Sequence, residues 1–482
     1  MPPRPGDIVE LPVDTLAYGG QGLGRLDSFV VFVRGALPGD VVRAEVTRRK
    51  AGYAEARLVE LLAPSPRRTP FRCDHPADVG GCEWQTLDYD AQLEFKRRQV
   101  AEALKHVGGL EHVVVEPIRG MADPWRYRNK MEYSFGEDES RLVLGMHRRG
   151  SWRDVVDVAD CRLAPVEVAR ARQAVLTACR ALALPAYSPV THRGLLRHLV
   201  VRRGRATGDL LLNLFVASRF AREEELAARV ADEVASTSFA LTVNESRADA
   251  AVGVGPFMLA GPPWFEEELA GVRLRVPALA FLQTNSEMCG VLYETALSCA
   301  RPEAGRSAYD LYCGIGGVSL LLARRAALVH GLEIQEEAIA AARENASLND
   351  ETRVSFTAGD VRALLLDPPT GRDPLIEELV RADGKPHQSL RRPATHPFDP
   401  PAVVVTDPPR AGMSKKAVER MALLGADRIV YISCNPTTLA ANAAQLVTIG
   451  YRLESVIPVD MFPHTHHIEA VATFVRTTGH AS

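Results

Sequence analysis

Residues 307–323 read SAYDLYCGIGGVSLLLA. An apolar run stops near Asp310, a turn carrying Gly314, Gly316 and Gly317 follows, and an apolar helical stretch begins at once. This is a strand, a glycine turn and a helix, the unit from which parallel, doubly wound sheets are built. The unit recurs in LVHGLEIQEEAIAAARENASLN (328–349), and two more apolar strands end in turns at AVVVTDPPRAG (402–412) and RIVYISCNP (428–436). No longer internal repeat is visible. Open sheets of this kind hold ligands at the carboxyl ends of their strands. The glycine turn lets backbone approach a ligand closely. Glu333 follows where it would meet two ribose hydroxyls, and Asp360, in AGD, where it would meet an adenine edge. A lone glycine turn would also suit a dinucleotide. No phosphate-cradling lysine motif is present, so a nucleoside without polyphosphate is expected, and S-adenosylmethionine fits.

Working outward, 482 residues predict roughly two to four domains. Hydrophobic residues make up 46 % and charged residues 24 %, as in ordinary soluble proteins. No apolar run is long enough to cross a bilayer, and the N-terminal MPPRPGDIVELPVD has no leader-like apolar segment. Eight scattered cysteines without a leader point to a reducing cytoplasm. The net charge of −3 excludes a general polyanion binder. Local basic clusters (RRK 48–50, KRR 96–98, HRRGSWR 147–153, RRGR 202–205) suit one structured nucleic-acid site instead.

Residues 6–62 alternate in short strands between Gly and Pro-Gly turns, which predicts a small closed barrel of the oligonucleotide-binding kind. APSPRRTP (63–70) reads as a linker. A helix is expected from about Tyr89 to Val107. Strands follow from about Arg126 to Leu163, and mixed elements continue to about residue 270. The Pro- and Arg-rich segment 367–401 reads as a surface insertion. WRYRNK, with Arg126, Arg128 and Lys130, is the best basic-aromatic candidate for contact with RNA.

The end of the RIVYISCNP strand places a thiol, Cys434, at the sheet's ligand edge. FLQTN brings Gln283 and Asn285 ahead of the sheet, DPPRAG brings Asp407 and Arg410, and MFPHTHHIEAV brings Glu469 after a run of histidines. A thiol, a carboxylate and a methyl donor together suit methylation of uracil C5. That carbon is too weak a nucleophile until a thiolate has added at C6, and a base must later remove its proton.

FLQTN, DLYCGIGG, DPPRAG, SCNP and FPHTHHIE, in this order, resemble the RNA uracil-5-methyltransferase family, and the barrel with GQGLGR and GALPGD resembles the TRAM domain of some members. The likeness spans nearly the whole chain. It implies Cys434 as nucleophile and Glu469 as proton-abstracting base. It also implies Gln283, Tyr312, Glu333, Asp360 and Asp407 around the methyl donor and target base. The HTHH histidines have no role in that pattern and read as loop or packing residues. The target base must leave its stack to meet Cys434.

Iron–sulfur members of the family carry C-x5-C-x2-C and one distant cysteine. Cys73, Cys82 and Cys161 match three of these places, and Val79 stands at the fourth. A [4Fe–4S] cluster, which usually takes four thiolates, would need Asp74, His75, Asp78 or an outside group. Zinc on three thiols and a histidine, or packing of thiols without metal, are the alternatives. Cys179, Cys289, Cys299 and Cys313 read as structural.

The expected enzyme is α/β, with a TRAM barrel over 1–63, a central RNA-binding domain with the cysteine cluster over 64–270, and a Rossmann-like methyltransferase domain over 271–482. The helical stretch at about 85–117 is a candidate to pack on the last. The chain is expected to be a monomer acting on structured RNA, 23S ribosomal RNA before transfer RNA, with no membrane partner. Two rivals make different demands. An amino-methyltransferase using DPPR needs no thiol, and a non-catalytic RNA-binding assembly factor needs neither Cys434 nor Glu469.

Overall fold

The computed structural model describes residues 2–76, 79–247, 250–365 and 400–477. The insertion at 367–401 therefore lies almost wholly outside the described residues, as does Asp78.

Five strands, β1 (Ile8–Leu16), β2 (Gly22–Leu26), β3 (Phe29–Arg34), β4 (Val41–Arg49) and β5 (Tyr53–Ala63), close into a barrel in the order β1-β2-β3-β5-β4. Period-two alternation turns Val31, Val33, Val42, Ala44, Ala54 and Ala56 inward, where they are buried. The expected linker is pinned rather than loose. Buried Asp40 accepts from the Arg68 guanidinium at 2.6 Å and from the Ser65 N–H at 2.9 Å.

The central sheet comprises β6 (Lys130–Asp138), β7 (Arg141–His147), β8 (Val155–Asp157), β9 (Leu196–Arg203), β10 (Leu210–Val216), β11 (Ser238–Val243) and β12 (Val254–Ala260), ordered β12-β11-β10-β9-β6-β7-β8. Helices Val166–Ala181 and Glu223–Glu233 pack against it. A hairpin, β13 (Trp264–Leu269) and β14 (Val272–Pro277), leads into the last unit.

There, β15 (Ser307–Leu311), β16 (Leu328–Glu333), β17 (Val354–Ala358), β18 (Val403–Thr406), β19 (Arg428–Ser433), β20 (Tyr451–Val459) and β21 (Glu469–Arg476) form a sheet ordered β17-β16-β15-β18-β19-β21-β20. Five strands are parallel, as the βα periodicity predicts. The sheet is not parallel throughout, because β21 runs antiparallel to both β19 and β20. β20 and β21 are joined by only nine residues, too few for a helical crossover. No helix among the described residues is long and apolar enough to cross a membrane.

The helix Tyr89–His106, capped by Asp88, does pack on this sheet's unit. Val100 and Leu104 enter its apolar core. Lys96 Nζ donates to Asp460 Oδ1 at 2.6 Å with both side chains fully buried, and to the carbonyl of Phe462 at 3.0 Å. Tyr89 reaches the same carboxylate at 2.8 Å. Removing one partner of a buried pair strands the other charge at a cost of about 3–5 kcal/mol. Lys96→Met is therefore expected to destabilise the protein by about that amount. Denaturant unfolding measures it, and a change under about 1 kcal/mol would mean the pair is not buried in solution.

Candidate active site

Strand register brings the chemistry to one edge. Ser433 of β19 pairs with Ala470 of β21, so Cys434, one residue past Ser433, lies opposite Glu469, one residue before Ala470. Because β21 is antiparallel, its first residue lies at the edge where the parallel strands finish. On the other side, Leu311 pairs with both Thr406 and Leu332, so Tyr312, Asp407 and Glu333 follow at the same level. Asp360 stands two residues beyond Ala358, the partner of Glu333.

Gln283, Tyr312, Glu333, Asp360, Asp407, Cys434 and Glu469 all line one cleft of about 1000 Å³. The glycine turn makes room at its floor. Gly316 has φ +89°, and a Cβ there would lie 3.0 Å from Phe356; one on Gly317 would lie 2.8 Å from Tyr293. Tyr312 itself is left-handed at φ +63°, an uncommon conformation for a bulky residue that turns its ring at the end of β15. Glu333 accepts from the N–H groups of Gly314 (3.3 Å), Ile334 (2.8 Å) and Gln335 (3.1 Å). Asp360 caps the short helix Val361–Leu364, accepting from the Arg362 N–H at 2.8 Å.

Acidity divides this site into two ends. Burial raises Glu469, and the nearby Asp407 carboxyl raises it further. Asp407 is pushed up to about 6 by burial. Burial also pushes the Cys434 thiol up to about 11, with the two carboxyls adding and Arg410 opposing. Glu469 is 2 % exposed, and its Oε2 has no hydrogen-bond partner among the described residues. Deeper, Asp310 is raised to about 7 by burial and accepts from Ser319 Oγ at 2.6 Å.

Several expectations need correction. Asn285 is a buried helix cap, bonded through Nδ2 to the carbonyl of Met461, and does not line the cleft. In WRYRNK, Arg126 is bound by Asp160 and Trp125 stacks on His464 at 3.9 Å, whereas Arg128 faces the cleft. The motif builds the cleft wall more than an outer RNA surface. Cys313 lines the cleft beneath the glycine turn. The histidine run separates into three roles. His464 is packed and held neutral by burial, His466 bonds Glu83 at 3.2 Å, and His467 lines the cleft, its pKa lowered to about 4 by burial. Phe281, 72 % exposed at the cleft, opens the FLQTN motif but received no role, because a single aromatic has no period to reveal its task.

The three cluster cysteines do converge. Cys82 is raised to about 12 by burial, with the Cys161 and Cys73 thiols adding to the shift. The fourth place is filled by the Val79 side chain, 3 % exposed and packed in the core. Asp74 points outward, 81 % exposed, beside Arg162. His75 lies against Cys73. Among the described residues, no group of three or more His, Cys, Asp or Glu side chains has metal-holding geometry. The donor set does not fit a four-thiolate cluster.

Comparison with known proteins agrees with this geometry. The TRAM domain profile matches residues 3–59, a methyltransferase domain profile residues 302–373, and the tRNA (uracil-5-)-methyltransferase profile residues 394–477. The uncharacterized RNA methyltransferase BH0687 of Halalkalibacterium halodurans is 34 % identical over 98 % of this chain and 97 % of its own. The uncharacterized RNA methyltransferase gll3134 of Gloeobacter violaceus is 36 % identical over the same shares. Among solved structures, the Pyrococcus abyssi tRNA (uracil-54, C5)-methyltransferase in complex with S-adenosyl-L-homocysteine superposes with a TM-score of 0.74. Its identity is 25 %, and the match covers 97 % of this chain and all of that one. With the family profiles matched, relatives aligned end to end and a solved neighbour superposing over nearly the whole chain, the chain belongs to the RNA uracil-5-methyltransferase family.

Proposed function

We propose that this protein methylates C5 of a uridine in structured RNA with S-adenosylmethionine, acting in the cytoplasm as a monomer. The observation that carries the reading is that Cys434 lies opposite Glu469, one residue past the last pair of β19 and β21, in a cleft that Glu333 and Asp360 also line. Glu333 suits the ribose hydroxyls of the donor, Asp360 its adenine edge, and Gln283, Tyr312 and Asp407 the space between donor and base. The donor supplies an electrophilic methyl group on a sulfonium sulfur.

Cys434, as thiolate, adds to C6 of the flipped uracil, and the C5–C6 π electrons become available at C5. C5 takes the methyl carbon as the bond to the sulfonium sulfur breaks, leaving a neutral thioether. The Glu469 carboxylate removes the C5 proton, the C6–S bond breaks, and the double bond and the thiolate are restored. Phe281 offers a ring for stacking and Arg128 a guanidinium for the RNA backbone.

The proposed substrate is 23S ribosomal RNA. Similarity to the Pyrococcus abyssi transfer-RNA enzyme over 97 % of this chain, barrel included, supports transfer RNA as the second reading. The iron–sulfur cluster is left out of the proposal, because three thiols and a packed Val79 are one thiolate short.

Labelled donor, each RNA class and nucleoside analysis test the reading. 5-Methyluridine from one class is expected, whereas label recovered on an exocyclic amine would favour the amino-methyltransferase. Glu333→Ala is expected to raise KM for the donor about ten- to hundredfold, since a charge-assisted hydrogen bond is worth about 1.5–3 kcal/mol. Steady-state kinetics at saturating RNA checks this, and an unchanged donor KM would remove Glu333 from that role.

A further inference from the structure

The barrel reaches the reactive end of the cleft. Its β1–β2 turn, Ala17–Gln21, is docked on the segment that precedes Glu469. Gly20 has φ +94°, and a Cβ there would lie 2.7 Å from Glu83 Oε2 and 3.1 Å from His466 Cβ. The Trp84 indole N–H donates to the Gly20 carbonyl at 3.2 Å. Two residues earlier, the Tyr18 hydroxyl donates to Asn435 Oδ1 at 3.2 Å, beside Cys434 in sequence. Burial raises the Tyr18 pKa, and the neighbouring Arg410 guanidinium opposes that rise. Asn435 Nδ2 in turn donates to the Arg410 carbonyl at 3.3 Å.

From these contacts we infer that Tyr18 of the barrel is a positioning residue of the methyl-transfer site, holding Asn435, the neighbour of Cys434, and through Asn435 the backbone of Arg410. The inference rests on Cys434 being the nucleophile. The charged and titratable groups facing that thiol are Asp407, Glu469, Tyr431, Tyr18 and Arg410; Arg410 is the cation that favours its ionisation. A hydroxyl that holds Asn435, and with it the Arg410 backbone, therefore keeps that cation near the thiol, and seating RNA on the barrel would act on the nucleophile through one side chain. The glycine-rich turn thereby gains a reason beyond barrel closure. Only glycine fits where the turn presses on Glu83 and His466.

The test is iodoacetamide alkylation of Cys434 in the full-length protein, read by peptide mass spectrometry against pH, in wild type, Tyr18→Phe and Gly20→Ala. Tyr18 is 42 % exposed, so Tyr18→Phe leaves the fold intact, which a thermal melt verifies. Alkylation at pH 8 is expected to slow severalfold, up to about tenfold, in both variants, with the pH midpoint moved upward, since losing a neutral hydrogen bond is worth up to about that factor. In Tyr18→Phe, kcat is expected to fall by a similar factor with KM for RNA within about twofold. An unchanged alkylation profile in Tyr18→Phe would overturn the inference. So would a raised RNA KM at wild-type kcat, which would make Tyr18 an RNA contact. Alkylation is read on the thiol itself, so it does not depend on the substrate assignment. Full methyl transfer by Cys434→Ala would instead sink the underlying reading.

Discussion

Cys434→Ala is expected to lower methyl transfer by at least about a thousandfold while leaving donor binding within about twofold. The size of the loss follows from the chemistry. Uracil C5 attacks a sulfonium methyl only after C6 has been saturated, and no other thiol stands at the reactive end of the cleft. Cys313 also lines the cleft, but beneath the glycine turn near Glu333 and Asp310. With 5-fluorouridine RNA, the wild-type protein should form a covalent band on denaturing electrophoresis, because fluorine cannot leave as a proton does. The alanine variant should form none. Full activity without Cys434 would point to the amino-methyltransferase, and absence of methyl transfer in the wild type to the assembly factor.

The pH dependence follows the same thiol. With Cys434 raised to about 11, the thiolate fraction in the free protein at pH 7 is on the order of one in ten thousand. Raising pH increases it. So does a nearby cation, because positive charge favours the ionised form. Alkylation of Cys434 should therefore be faster with S-adenosylmethionine, which is cationic at sulfur, than with the neutral-sulfur S-adenosylhomocysteine.

Glu469→Gln carries the second large effect. Turnover is expected to fall about 10²- to 10⁴-fold, the usual range for loss of a general base. The covalent adduct should meanwhile accumulate on ordinary, unfluorinated RNA. Addition at C6 does not use Glu469, and a neutral amide there no longer opposes ionisation of Cys434 as a Glu469 carboxylate does. On the proposed mechanism the Glu469 Oε2, buried at the cleft and without a hydrogen-bond partner among the described residues, receives the C5 proton. Loss of turnover without an adduct would move Glu469 to a step before C6 addition. Unchanged turnover would remove it from the chemistry.

The fold was legible wherever local pattern decides the outcome. The strand–turn–helix unit at Ser307–Ala323, the alternation within the barrel, and the helix expected from about Tyr89 to Val107, observed at Tyr89–His106, all formed as their periodicity requires. Strand ends named the acidic wall of the cleft, because parallel strands present their last residues on one edge. Other features depended on which distant segments meet. Asn285 looked like a site residue beside Gln283, yet its side chain satisfies a helix terminus and the Met461 carbonyl. WRYRNK looked like an RNA patch, yet Asp160 neutralises Arg126 from the far end of the cysteine segment. The thiol cluster was one ligand short in sequence, and the structure fills the gap with a packed valine.

By itself, then, the sequence determined the sheet, the barrel and which residues stand at the strand ends that line the cleft, since each depends on residue period or on position at a strand end. The roles of Cys434 and Glu469 came from family resemblance. Only the tertiary structure decided that β21 runs antiparallel and sets Glu469 opposite Cys434. It alone brought Tyr18, more than four hundred residues away in sequence, to Asn435. Register and domain docking are set by the packing of whole surfaces, which no local window of residues encodes.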